Sequence, residues 1–226
     1  MRLWTTLLLV VVLSLPLAAC GSSMPADDGQ SGATGLASPS FPATSVPATA
    51  VSKTQQYFET HCRGDYTMTL RYTADVGGGM AEVINTVAVA GDKLYSDIKS
   101  DTMHMATLQL DGKAYSLLHD QKTYMELAPG NGTDKMINPA AYIGSAESLP
   151  DGGYQTGETE INGESCHFEE FTVPDGKITY CFSGGSLRYI IPSYGSTRTE
   201  MEVIEVSDSV LATHFTIPEG YTKLVV

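Results

Sequence analysis

The sequence predicts an α+β domain dominated by strands, and three observations carry that class. First, residues 65–75, DYTMTLRYTAD, alternate strictly. Tyr66, Met68, Leu70, Tyr72 and Ala74 interleave with Asp65, Thr67, Thr69, Arg71, Thr73 and Asp75, so a strand here has one apolar and one wet face. Second, turn signals recur at short intervals, at Gly91-Asp92, Asp111-Gly112, Asp120-Gln121, Asn162-Gly163 and Asp175-Gly176, each flanked by strand-forming residues. Third, only two segments of the domain break this pattern. Residues 51–61 fit a short amphipathic helix, and residues 134–148, with Met136, Ile137, Ala140, Ala141 and Ile143, fit a second.

In chain order, Met1-Arg2 gives a short positive start and residues 3–17 are almost wholly apolar, the order of a secretory signal. The run is shorter than the roughly 20 residues of a comfortable membrane span. It closes on Leu17-Ala18-Ala19-Cys20, which resembles the bacterial lipobox. That resemblance implies cleavage between Ala19 and Cys20, residues 1–19 being the signal peptide, after a diacylglyceryl group is attached to the Cys20 sulfur. The chain is then expected to hang from the outer side of the cell membrane by that lipid. An ordinary signal peptide followed by a chance cysteine is the alternative.

Residues 20–50 comprise Cys20 and a tether of Gly, Ser, Ala, Thr and Pro, whose few larger apolar residues include Met24, Leu36, Phe41 and Val46. Such a composition cannot bury enough surface to offset its ordering entropy. As a coil its reach is roughly 30 Å, and fully extended about 100 Å. Residues 51–226 form the folded domain, of a size that supports one substantial core.

Within it, three strands open alike, at Lys93-Leu94-Tyr95, Lys113-Ala114-Tyr115 and Lys122-Thr123-Tyr124, the spacing of an antiparallel meander. Removing residues 1–19 takes away Arg2 and leaves 26 acidic against 12 basic residues, a net charge of −14. A field of that sign repels nucleic acid and anionic head groups, so no nucleic-acid partner is expected and the Cys20 lipid alone holds the membrane.

Enzyme signatures fail on geometry. Ser96-Asp97-Ile98-Lys99 matches S-x-x-K, which needs a helix to bring its first and last residues together, whereas the strand pattern sends them to opposite faces. There is no G-x-S-x-G, and His61, His104, His119, His167 and His214 show no metal-ligand spacing. Met103-His104-Met105 has soft donors suited to copper, but on a strand His104 points away from the two thioethers, and packing by flexible Met explains the run better. No metal, cofactor or catalytic residue is expected. Arg63-Gly64-Asp65 spells an adhesion tripeptide, and Gly64 is better read as the break between helix and strand.

Cys62, Cys166 and Cys181 remain, an odd number in a compartment that permits disulfides. Cys166 with Cys181 is the candidate disulfide. A two-residue turn at Asp175-Gly176 would set them four residues apart on one face, about 13 Å, beyond the usual 4.4–6.8 Å, so the bridge requires a longer loop around Pro174. Pairing of Cys62 with either partner, or three free thiols, stays open.

The succession of segments resembles a family. The lipobox, tether and leading helix are followed by GDKLYSDI and LDGKAYSLLHDQKTYMEL, a helical insert, GETEINGESCHFEEFTV and GKITYCFSGGSLRYI, and the chain closes on FTIPEGY. This order is similar to the bacterial envelope lipoproteins of the LolA, LppX and RseB type. The resemblance implies a strongly curved antiparallel sheet, a half-open barrel, with helices covering its concave side. Between them it implies a hydrophobic cavity walled by Tyr66, Met68, Leu70 and Tyr72 and lidded by the insert around residues 138–148. The function so implied is non-enzymatic binding of a lipid or other hydrophobic ligand. The alternative is a cell-surface sensor or protein-interaction lipoprotein whose same apolar face is filled core.

Overall fold

The computed structural model describes residues 43–47, 50–76, 79–128, 153–173 and 176–225. The expected second helix at 134–148 lies outside these residues, as do Ala19 and Cys20. The described chain runs β1 (Thr44–Val46), α1 (Lys53–His61), β2 (Tyr66–Asp75), β3 (Met80–Ala90), β4 (Lys93–Lys99), β5 (His104–Leu110), β6 (Lys113–Leu118) and β7 (Thr123–Leu127). It resumes as β8 (Tyr154–Ile161), β9 (Glu164–Val173), β10 (Gly176–Ser183), β11 (Ser186–Tyr194), β12 (Thr197–Arg198), β13 (Met201–Ser207), a short 3-10 helix at Ala212–Phe215, and β14 (Thr222–Lys223).

These strands form a curved, unclosed sheet in the order β1-β8-β9-β10-β11-β13-β2-β3-β4-β5-β6-β7-β14, with β12 paired to β11. Every pairing is antiparallel except that of β14 with β7. The meander β2 to β7 follows the turn signals. Asp111-Gly112 and Asn162-Gly163 both place two consecutive residues at positive φ (52° and 71°, 51° and 81°). That is the tight hairpin turn whose twist matches its flanking strands.

Residues paired across an antiparallel ladder point to the same side, which sorts the side chains into two faces. On one face β2 contributes Tyr66, Met68 and Leu70, which cluster with Phe171, Ile178, Tyr180, Phe182, Leu187, Ile190 and Val203. Helix α1 lies on this face, its Phe58 meeting Tyr180 edge-on with ring centroids 5.6 Å apart. The opposite face holds Ala88, Ala106, Leu108 and Leu117, covered by Val210, Phe215, Ile217 and Tyr221 of the C-terminal segment. Further along that same face Ile161, Cys166, Cys181, Tyr189 and Ile191 form a third cluster.

Three sequence expectations shift in register. The helix expected over 51–61 begins at Lys53, because the Ser52 hydroxyl accepts from the Gln55 amide at 2.9 Å and caps it. The fold begins earlier than residue 51: Thr44–Val46, inside the stretch read as tether, pair with Thr156, Gln155 and Tyr154 at the edge of β8. Gly176 is a strand residue paired with Val173, not the second residue of a turn. It lies against the Ser193 carbonyl of β11, where a Cβ would collide, so the glycine serves close strand packing.

Candidate ligand-binding face and a histidine–aspartate cluster

The four residues expected to wall a cavity do share one face, as their period-two spacing requires, but they differ in surroundings. Tyr66, Met68 and Leu70 are 2%, 1% and 0% exposed and are enclosed by side chains of α1 and of the strands β9 to β13. Tyr72, further along β2, is half-buried and pairs with Val83.

From there the same face continues across the meander. Asn85, Ile98, Met105, Leu118 and Thr123 stand in one row of paired residues, and Val87, Ser96, Thr107, Ser116 and Met125 in the next. Val89, Leu94, Gln109, Ala114 and Leu127 complete a third. Leu94, Ile98, Met105, Leu118, Met125 and Leu127 are all half-buried, unlike the sealed residues of β2. Buried Ser96 spends its hydroxyl on Asn85 Oδ1 at 3.0 Å, whereas the buried Thr123 hydroxyl in the same face makes no hydrogen bond. The wall is therefore mixed: apolar side chains flank a central line of small hydroxyls, Ser96, Thr107 and Ser116.

The Ser96-Asp97-Ile98-Lys99 match lies on β4 as the strand pattern requires, so Ser96 and Lys99 project to opposite faces and form no acyl-transfer pair.

The opposite face of the meander carries a cluster that sequence spacing did not reveal. Asp97 of β4 pairs with Ala106 of β5, His104 opens β5, and His119 follows β6, its amide donating to the His104 carbonyl at 3.0 Å. The Asp97 Oδ1 atom is 3.0 Å from His104 Nε2 and 3.3 Å from His119 Nε2, and the two imidazoles stack with centroids 4.1 Å apart. Burial, and next the neighbouring His104, push the His119 imidazole below its usual range, favouring its neutral form. Tyr221 meets His119 Nδ1 at 2.6 Å. Tyr95, stacked on His214 at 5.0 Å, has its phenol raised by burial and then by the Asp97 carboxylate. Residues 97, 104 and 119 are separated by a strand and a hairpin, so only the ladder register brings them together.

Cys166 and Cys181 are buried on one face as free thiols, and Cys62 is a half-buried free thiol. Because Gly176 pairs with Val173, Cys181 stands opposite Phe168, two residues from Cys166 rather than the four expected from a turn at 175–176. That is the diagonal of the ladder, about 7–8 Å between Cα atoms. Burial is the largest cause raising both thiols above the ordinary thiol range, and for Cys181 the neighbouring Cys166 adds to it. Burial also pushes Cys62 up to about 12.

No helix among the described residues is long and apolar enough to cross a membrane. No family model and no characterised sequence matches the chain. Among solved structures, the chain is similar to an uncharacterized conserved protein from Thermus thermophilus, at 8% identity and a TM-score of 0.49, over 76% of this chain and 96% of that one. It is also similar to a LolA superfamily protein from Nitrosomonas europaea, at 11% identity and a TM-score of 0.35, over 74% of this chain and 98% of that one. A DUF1329 family protein from Desulfovibrio piger is a third, at 12% identity and a TM-score of 0.32, over 72% and 92% of the two chains. At such identities and TM-scores none of them assigns this chain a family or a role.

Proposed function

We propose that the protein is a lipid-anchored protein of the bacterial envelope that binds an acyl chain or a comparable apolar ligand, without catalysis, along the sheet face that carries α1. The observation behind this reading is the change in burial along that face. It passes from sealed core at Met68 and Leu70 to the half-buried row Ile98, Met105 and Leu118, with Met125 and Leu127 beside it. A mainly apolar wall with a few small polar groups, lined partly by adaptable Met side chains, suits a ligand of variable shape. The fully enclosed state of Tyr66, Met68 and Leu70 favours the second reading, in which this part of the face is ordinary core and the protein is a sensor or interaction lipoprotein.

Anchoring rests on Leu17-Ala18-Ala19-Cys20. Mass spectrometry of the protein purified from its own membrane tests both parts at once. The expected result is a chain starting at Cys20, heavier by its acyl groups, with a co-purifying lipid. A chain starting elsewhere would refute the anchor, and a lipidated chain that never carries ligand would favour the second reading.

A further inference from the structure

We propose that Asp97, His104 and His119 form a binding site for a first-row divalent cation, zinc foremost, held by two imidazole nitrogens and one carboxylate oxygen. Their three ligand atoms lie within 4.8 Å of one another. For zinc bound at 2.0–2.2 Å, neighbouring ligand atoms are separated by about 2.8–3.1 Å in octahedral and about 3.3–3.6 Å in tetrahedral geometry. The two nitrogen-to-Oδ1 distances here are 3.0 and 3.3 Å.

Two further observations point the same way. His119 Nε2 is buried and makes no hydrogen bond, although Asp97 Oδ1 is only 3.3 Å away. Its lone pair is therefore not aimed along the line to that oxygen, whereas His104 Nε2 hydrogen bonds to the same carboxylate at 3.0 and 3.3 Å, a bond that a cation would replace. An orphan buried nitrogen is costly, and a cation at this point would satisfy it. On the other side of the same ring, Nδ1 meets the Tyr221 hydroxyl at 2.6 Å. When Nδ1 donates there, Nε2 is left unprotonated and the ring orientation is fixed, which is the usual support for a ligating histidine. The three side chains are only 21%, 31% and 14% exposed for Asp97, His104 and His119, so a bound ion would keep some access to water while being held mainly by protein. Two imidazoles with one carboxylate suit zinc and neighbouring transition metals rather than calcium or magnesium, which take oxygen ligands.

Tyr221 directly precedes β14, which pairs with β7, so the ion would also tie the C-terminal segment to the meander. The test uses the full chain in detergent, stripped with chelator and then titrated with zinc chloride by equilibrium dialysis. Cobalt chloride serves as the spectroscopic probe. One zinc per chain is expected, with a visible cobalt absorption band displaced by zinc. Asp97→Asn and His104→Gln should each weaken binding at least about tenfold, and Tyr221→Phe by about tenfold through loss of ring support. His167→Ala, on β9, should leave zinc affinity unchanged. Circular dichroism confirms that each variant is folded. Absence of saturable zinc binding by the wild type, or equal affinity in wild type, Asp97→Asn and His104→Gln, would overturn the proposal.

Discussion

Glu169 on β9 grips Thr54 at the head of α1: one carboxylate oxygen accepts from the Thr54 amide at 2.8 Å and from its hydroxyl at 2.7 Å. The other oxygen accepts from the Lys53 amide at 2.8 Å. Glu169 is 3% exposed, so a buried charge is matched by the unpaired amides and positive dipole end of a helix. The contact fixes α1 on the apolar face and lets Phe58 reach Tyr180. Replacing Glu169 by Ala strands these donors and should cost about 2–3 kcal/mol. Urea unfolding measures it, and an unchanged midpoint would show that the carboxylate does not hold the helix.

Leu70→Trp separates the two readings of the β2 face. Leu70 is completely enclosed within the core cluster, so the larger side chain is expected to cost about 1–3 kcal/mol by overpacking. A variant as stable as the parent, with weakened ligand binding, would instead make Leu70 part of the cavity itself.

The cysteine pair gives a third prediction. Cys166 and Cys181 stand on a ladder diagonal longer than the usual disulfide separation and are sealed from water. Under native conditions an alkylating reagent should label neither, and after unfolding without reductant it should label both. Failure to label after unfolding would mean that the bridge forms and that the backbone closes to accommodate it.

The fourth concerns where the tether ends. Deleting residues 21–40 should leave the melting temperature unchanged, because a segment mainly of Gly, Ser, Ala, Thr and Pro has little apolar surface to bury against the domain. Extending the deletion to residue 48 removes β1 and uncovers the edge of β8, and the melting temperature should fall. Equal stability of the two deletions would show that β1 contributes nothing.

Much of the fold was legible because local signals and global arrangement agree. The alternation in residues 65–75 became β2 with the same inward set, and Asp111-Gly112 and Asn162-Gly163 closed hairpins where they stand. The 175–176 turn was misplaced because Gly176 is required for packing against Ser193, a contact made by a strand that comes later in the chain. β1 was missed because its three residues have no pattern of their own and become a strand only on the edge of β8. The gap between a sealed core at Leu70 and a half-open wall at Met105 has no sequence signature, since both are apolar residues alternating on strands. The Asp97, His104 and His119 cluster was equally hidden. Metal-ligand spacing on a helix is visible in sequence, whereas across three strands it depends on register.

The central claim is that the half-buried wall binds an apolar ligand, and titration of the full chain with a fluorescent fatty acid tests it most directly, comparing wild type with Met105→Asp. Met105 lies mid-row between Ile98 and Leu118, so a carboxylate there should abolish an apolar contact while leaving the sealed core around Leu70 intact. The expected result is saturable binding by the wild type and at least about tenfold weaker binding by the variant at similar stability, since burying an unpaired charge against an acyl chain costs more than the 1.4 kcal/mol that tenfold represents. No saturable binding by the wild type, or identical binding by the folded variant, would contradict it.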